Sequence, residues 1–152
     1  MSPPQTAAPP TSLRITRTFA APREKVFQAW TDPKALAKWF APSAEFQTRI
    51  PKFELRVGGG YRIEMQLGEK NNIVEGTYRE IRPPQKLVFT WRWATPSTGG
   101  DAGDTLVTID FAERDGKTEV ILTHEGFPTA EARDAHDHGW IGCFDRLGKY
   151  VA

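Results

Sequence analysis

Three histidines and one cysteine are the side chains best suited to proton transfer, metal ligation or nucleophilic attack near neutral pH. Two of them, His136 and His138, are two residues apart in a stretch with helical periodicity. Residues so spaced point to different sides of a helix, so they do not chelate one metal together. His138 is expected on the wet side. His124 has the inward parity of an alternating stretch and is expected near the mouth of any pocket on that face. His136 sits inside an apolar helical stripe, where an imidazole needs a hydrogen-bond partner. It is read as a satisfied structural histidine, or alternatively as a general acid–base. Cys143 shares that stripe, and burial raises a thiol's pKa and dulls it as a nucleophile. No serine lies in a Gly-x-Ser-x-Gly elbow, and Gly58-Gly-Gly60 lacks the Lys and Ser/Thr of a phosphate loop. No Cys/His/carboxylate cluster has metal-ligand spacing. The sequence therefore points to no catalytic residue, no metal and no cofactor.

Aromatic residues make the stronger pattern. Tyr61, Phe89, Trp91, Trp93 and Phe111 share one parity in alternating segments, while Trp140 and Phe144 lie on the helical stripe. Trp30, Trp39 and Phe40 fall in a short proline-punctuated tract ending at Pro42. Core packing alone can justify each one, since burying a large apolar side chain contributes about 1.5–3 kcal/mol.

The elements that must position these residues follow from periodicity. Leu13–Phe19 alternates as a half-buried strand does. Pro22 suits the first turn of a short helix carrying Val26, Phe27 and Trp30. Asp32-Pro33 stops that helix and starts another, Asp32 as its cap and Pro33 at its first position, with Leu36, Trp39 and Phe40 on its apolar side. Strand signals follow over Phe53–Val57, leading into the Gly58–Gly60 turn, and then over Tyr61–Leu67, Ile73–Ile81 and Lys86–Trp93. A bulge in the third of these would leave the side of Glu80 open, whereas Glu64 and Glu75 are expected to face water. Ala94–Gly103 reads as a mobile hairpin loop. Val107–Phe111 and Val120–His124 flank the hairpin signal Asp115-Gly116. From about Thr129 the period becomes 3.6, with Ala132, His136, Trp140, Cys143, Phe144, Leu147, Tyr150 and Val151 on one face. Three glycines interrupt this helix at a cost of about 0.8–1 kcal/mol each. Gly139 borders the stripe and would admit a close neighbour or a ligand. Gly142 lies on the polar side without an evident reason.

Composition sets the outer limits. A chain of 152 residues with 20 basic and 19 acidic side chains suits one domain and carries no electrostatic footprint for nucleic acid. Residues 1–12 read as a disordered lead-in rather than a signal peptide, and residues 13–152 as the domain. No apolar run is long enough for a membrane span. A single cysteine excludes an intrachain disulfide and suits the cytoplasm.

Five landmarks together resemble the helix-grip (START-like, SRPBCC) superfamily, in its branch related to the activator of Hsp90 ATPase. They are Ala21–Phe27 with Trp30-Thr-Asp-Pro33, Trp39-Phe-Ala-Pro42, Val57-Gly-Gly-Gly-Tyr61, Phe89-Thr-Trp91, and His136-x-x-Gly-Trp140 with Asp145-Arg-Leu147 beyond. The resemblance implies an α+β fold, a curved antiparallel sheet of about six to seven strands wrapped around a long C-terminal helix. It also implies a cavity between sheet and helix that many members use for apolar ligands. Members include lipid carriers, cyclases and co-chaperone domains. The eukaryotic co-chaperone adds an N-terminal domain for which this length leaves no room, which weighs against Hsp90 activation.

A curved sheet gripping one helix cannot fill every gap with rigid indoles, and ligand pockets are mostly apolar with a few polar groups. The expected partner is therefore an apolar, aromatic or lipid-like small molecule. Its contact candidates are Trp39, Phe40, Tyr61, Trp91, Trp93, Trp140 and Phe144, with His124 or His136 as a polar anchor. Trp30 is expected as a core anchor, and Trp39 and Phe40 at an entrance gated by the short helices and the Ala94–Gly103 loop. A co-chaperone-like or stress-response module with a protein partner is the second reading, and a cyclase or aromatase using His136 the third.

Overall fold

Alternating apolar and polar residues build seven strands among the described residues, because a period of two turns one side of each strand to a core and the other to water. The computed structural model describes residues 12–94 and 104–152. Strands β1 (Ser12–Phe19), β2 (Gln47–Phe53), β3 (Gly60–Leu67), β4 (Lys70–Arg82), β5 (Lys86–Trp93), β6 (Thr105–Arg114) and β7 (Lys117–Glu125) form one antiparallel sheet in the order β1-β7-β6-β5-β4-β3-β2. Helices α1 (Arg23–Thr31) and α2 (Pro33–Trp39) link β1 to β2, and α3 (Ala130–Val151) follows β7. The sheet curves around α3, giving the expected α+β helix-grip architecture.

Local chemistry explains the joints. The Asp32 carboxylate accepts from the Lys34 amide at 3.0 Å and Pro33 opens α2, so two residues both end one helix and start the next. Asp115 and Gly116 both have positive φ, 54° and 81°, the geometry of a two-residue turn between β6 and β7. Thr129 caps α3 by accepting from the Ala132 amide.

The core lies between the inner face of the sheet and α3, closed at one end by α1 and α2. Ala132, His136, Trp140, Cys143, Phe144, Leu147 and Val151 of α3 are buried, as their spacing predicts. Tyr150 is not: it is 39% exposed, at the margin of the stripe in the last turn, beside Lys38 and Lys149. The outer face carries charge instead. Arg49, Glu64, Arg62, Glu75, Arg92 and Asp104 form successive ion pairs across it.

Two segments, β2 and the start of β1, differ from the sequence expectations, and the bulge left open for Ile73–Ile81 is present. Gln47–Phe53 forms an edge strand, and Phe53 ends it rather than beginning a strand toward Val57. Its apolar alternation is weak, and its register shifts between Arg49 and Lys52, around Pro51, which an edge tolerates because one side needs no ladder donor. In β4 the register shifts between Tyr78 and Glu80, so Tyr78 is buried and Glu80 pairs with Arg82 in partial exposure. Ser12, taken as the last residue of the lead-in, is the first of β1. Residues 1–11 of the lead-in and residues 95–103 of the expected loop lie outside the described residues.

Candidate functional site

Strand parity turns Trp91 and Trp93 of β5 and Met65 and Leu67 of β3 toward α3, which presents His136, Gly139, Trp140 and Cys143. Between them lies a cavity of about 250 Å³, completed by Phe40, Pro42 and Phe46 beyond α2 and by Lys70 and Asn72 of β4. Its walls are chiefly rings. Trp91 lies 5.1 Å from Trp140, 5.6 Å from Trp93 and 6.1 Å from Phe40, centroid to centroid. Leu67 and Lys70 are exposed, which puts the open side at the β3–β4 turn.

Gly139 keeps this space open. A Cβ built there would meet no atom within 4 Å, so the glycine faces room rather than a packed neighbour. The reason for Gly142 differs. A Cβ at that position would overlap the Pro42 carbonyl oxygen and stand 2.9 Å from its carbon. Pro42, three residues past the end of α2, thus packs its backbone directly on α3, a close approach that sequence periodicity had no means of showing.

The two inner histidines are held by indoles. Trp93 Nε1 donates to His136 Nε2 at 2.9 Å, and His136 Nδ1 donates to the Ala132 carbonyl at 2.7 Å. Trp140 Nε1 donates to His124 Nδ1 at 3.0 Å. The Thr105 hydroxyl donates to the Trp91 carbonyl at 2.9 Å and accepts from His124 Nε2 at 2.7 Å. These donors fix each tautomer and hold both rings neutral. Burial holds both imidazoles below their ordinary value, His124 well below it and further depressed by His136. With both nitrogens of each ring engaged, neither offers a free base. Burial pushes the Cys143 thiol up to about 12, although the residue lines the cavity. Among the described residues, no three His, Cys, Asp or Glu side chains are grouped to hold a metal.

Phe40, Trp91, Trp93, His136 and Trp140 of the sequence candidates therefore line one cavity. Trp39, Tyr61, His124 and Phe144 do not. Trp39 is 1% exposed, its Nε1 donates to the Ala29 carbonyl at 2.9 Å, and its ring packs 4.7 Å from Trp30, so it is a core residue and not at an entrance. Tyr61 is buried, with its hydroxyl donating to the Thr90 carbonyl at 2.6 Å. Phe144 is enclosed by Phe19 and Trp30. His124 is fully buried behind Trp91 and Phe127, away from the mouth where parity alone had placed it. Sequence reasoning missed Phe46, Met65, Leu67, Lys70 and Asn72. The parity of β3 could have found Met65 and Leu67, and their cross-strand partners are Asn72 and Lys70.

Residues 20–152 match the model of the activator of Hsp90 ATPase homolog 1-like protein family. The chain is similar to a protein of Chromobacterium violaceum of known crystal structure, at 30% identity over 93% of this chain and 97% of that one, with a TM-score of 0.83. It is also similar to a protein of Rhodobacter sphaeroides, at 26% identity over 95% and 94% with a TM-score of 0.77. A protein of Staphylococcus epidermidis matches at 26% identity over 93% and 89%, with a TM-score of 0.78. No curated protein matches the chain. No helix among the described residues is long and apolar enough to cross a membrane.

Proposed function

We propose that this chain, which belongs to the activator of Hsp90 ATPase homolog 1-like family, is a small-molecule binding module that takes an apolar or aromatic ligand between β3–β5 and α3. The observation that carries this reading is the ring-walled cavity of about 250 Å³, kept open at Gly139. An apolar cavity of about 150 Å³ already accepts benzene, so this one has room for a fused bicyclic ring or a medium-length acyl chain. Binding would remove apolar surface from water at about 25 cal/mol per Å² before the ordering costs of association. The single cysteine suits the cytoplasm as its place of work.

Titration with naphthalene derivatives and short-chain lipids, followed by NMR and calorimetry, tests the proposal. Saturable binding by the native chain and its loss in Gly139→Leu, which fills the cavity from the helix side, is the expected result. Binding that persists undiminished in that folded variant overturns it.

One observation favours the protein-interaction reading as an alternative: Leu55 and Val57, 40% and 65% exposed, project from the β2–β3 connection. An Hsp90 pull-down with an ATPase assay distinguishes the two, since stimulation lost in Val57→Asp and kept in Gly139→Leu would favour the surface over the cavity. A cyclase acting through His136 needs a free imidazole nitrogen, and both are engaged.

A further inference from the structure

The inner face of the β3–β4 hairpin changes character along its length. Cross-strand partners on that face are Tyr61 and Gly76, Ile63 and Val74, Met65 and Asn72, then Leu67 and Lys70. The first two rows belong to the core, whereas the last two line the cavity. Among the described residues, Lys70 is thus the one formally charged side chain lining a chiefly apolar, ring-walled cavity, and no carboxylate among them lines it. The other charges in the middle of this hairpin, Arg62, Glu64 and Glu75, lie on the outer face in ion pairs. Lys70 forms no ion pair among the described residues, and its exposure puts the ammonium at the open side. The neighbouring Asn72 amide donates to the Met65 carbonyl at 3.2 Å and adds a second polar group to the same rim.

Resting on the binding-module reading, we propose that the ligand is an anionic amphipath, an aryl or acyl carboxylate whose apolar body lies among Trp91, Trp93 and Trp140 while its carboxylate meets Lys70 at the rim. The polarity of the cavity sets the ligand's direction. At its deep end both His136 nitrogens are engaged, Nε2 accepting from Trp93 and Nδ1 donating to Ala132, and the unpartnered Trp91 Nε1 offers a single neutral donor with no charge to match an anion. An ionised group is therefore best matched at the water-facing end, where Lys70 has no ion-pair partner among the described residues. A lysine here acts as a point charge and selects for charge more than for the shape of the head group.

The test compares naphthylacetate with naphthylethanol, which share an apolar body and differ in charge. Both are titrated by calorimetry against the native chain, Lys70→Gln and Lys70→Arg. The acid is expected to bind the native chain about three- to tenfold more tightly than the alcohol, an advantage that shrinks as salt rises. Lys70→Gln should bring the acid down to the alcohol's affinity and leave the alcohol unchanged, which also shows that the variant keeps its cavity. Lys70→Arg should keep most of the acid's advantage. Equal affinity of acid and alcohol for the native chain, or an equal loss of both in Lys70→Gln, overturns the anionic proposal while leaving the cavity as a binding site. Absence of binding by either compound overturns it together with the reading on which it rests.

Discussion

His124 and His136 sit with ring centroids 5.3 Å apart, each neutral and each accepting from an indole N–H. Burial lowers both folded-state values, so near pH 6.5 the unfolded chain takes up protons that the native rings refuse. Their contribution to stability is fully present above the unfolded value of about 6.5 and is lost as pH falls through the depressed folded values. Each histidine adds a slope of up to about 1.4 kcal/mol per pH unit in that window. Urea midpoints should stay level from about pH 8 to 7 and fall below about pH 6.5. The double variant His124→Gln with His136→Gln, less stable at neutral pH, should lack most of that fall. An unaltered pH profile in the double variant would assign the fall to other groups. The stripe position of His136 and its need for a partner were legible in the sequence. Its partner was not, because Trp93 is 43 residues away and the bond exists only once β5 faces α3.

The glycines of α3 separate two roles that sequence cannot distinguish. At Gly139 an added methyl meets nothing within 4 Å, so Gly139→Ala should gain the helix-propensity difference of about 0.8–1 kcal/mol. At Gly142 the same change drives a methyl into the Pro42 carbonyl. Gly142→Ala should lose about 1–3 kcal/mol despite the better propensity, because backbone on both sides leaves little room to relax. Paired thermal or urea melts of the two alanine variants give the answer, and a stabilised Gly142→Ala would contradict the close packing of the α2 exit on α3. The short helices and the β6–β7 turn were readable because Asp32-Pro33 and Asp115-Gly116 carry their own local chemistry. β2 was not readable, since an edge strand with Pro51 and half-exposed residues needs no strict alternation and takes its register from β3.

Across the described residues, the sheet and α3 bury most large rings but leave a gap where β5, β3 and the middle of α3 diverge. The resemblance gave the grip, and parity gave Trp91 and Trp93. Which rings would fill the core and which would border the gap depended on distances across the fold: Trp39 turns in to Trp30 while Phe40 reaches Trp140. A ligand that occupies the gap only in the native state should raise stability by about 2.7 kcal/mol at one hundred times its Kd, and thermal melts with and without naphthylacetate check this. The five tryptophans make the most direct test possible, because their indole N–H groups report from different places. Trp93 donates to His136 at the cavity wall, whereas Trp39 donates to Ala29 inside the core. In an NMR titration of the indole signals with naphthylethanol, the signals of Trp91, Trp93 and Trp140 should shift together with one saturating affinity while that of Trp39 stays in place. Shifts absent from the three cavity tryptophans at saturation, or concentrated on Trp39, would contradict a binding site between the sheet and α3.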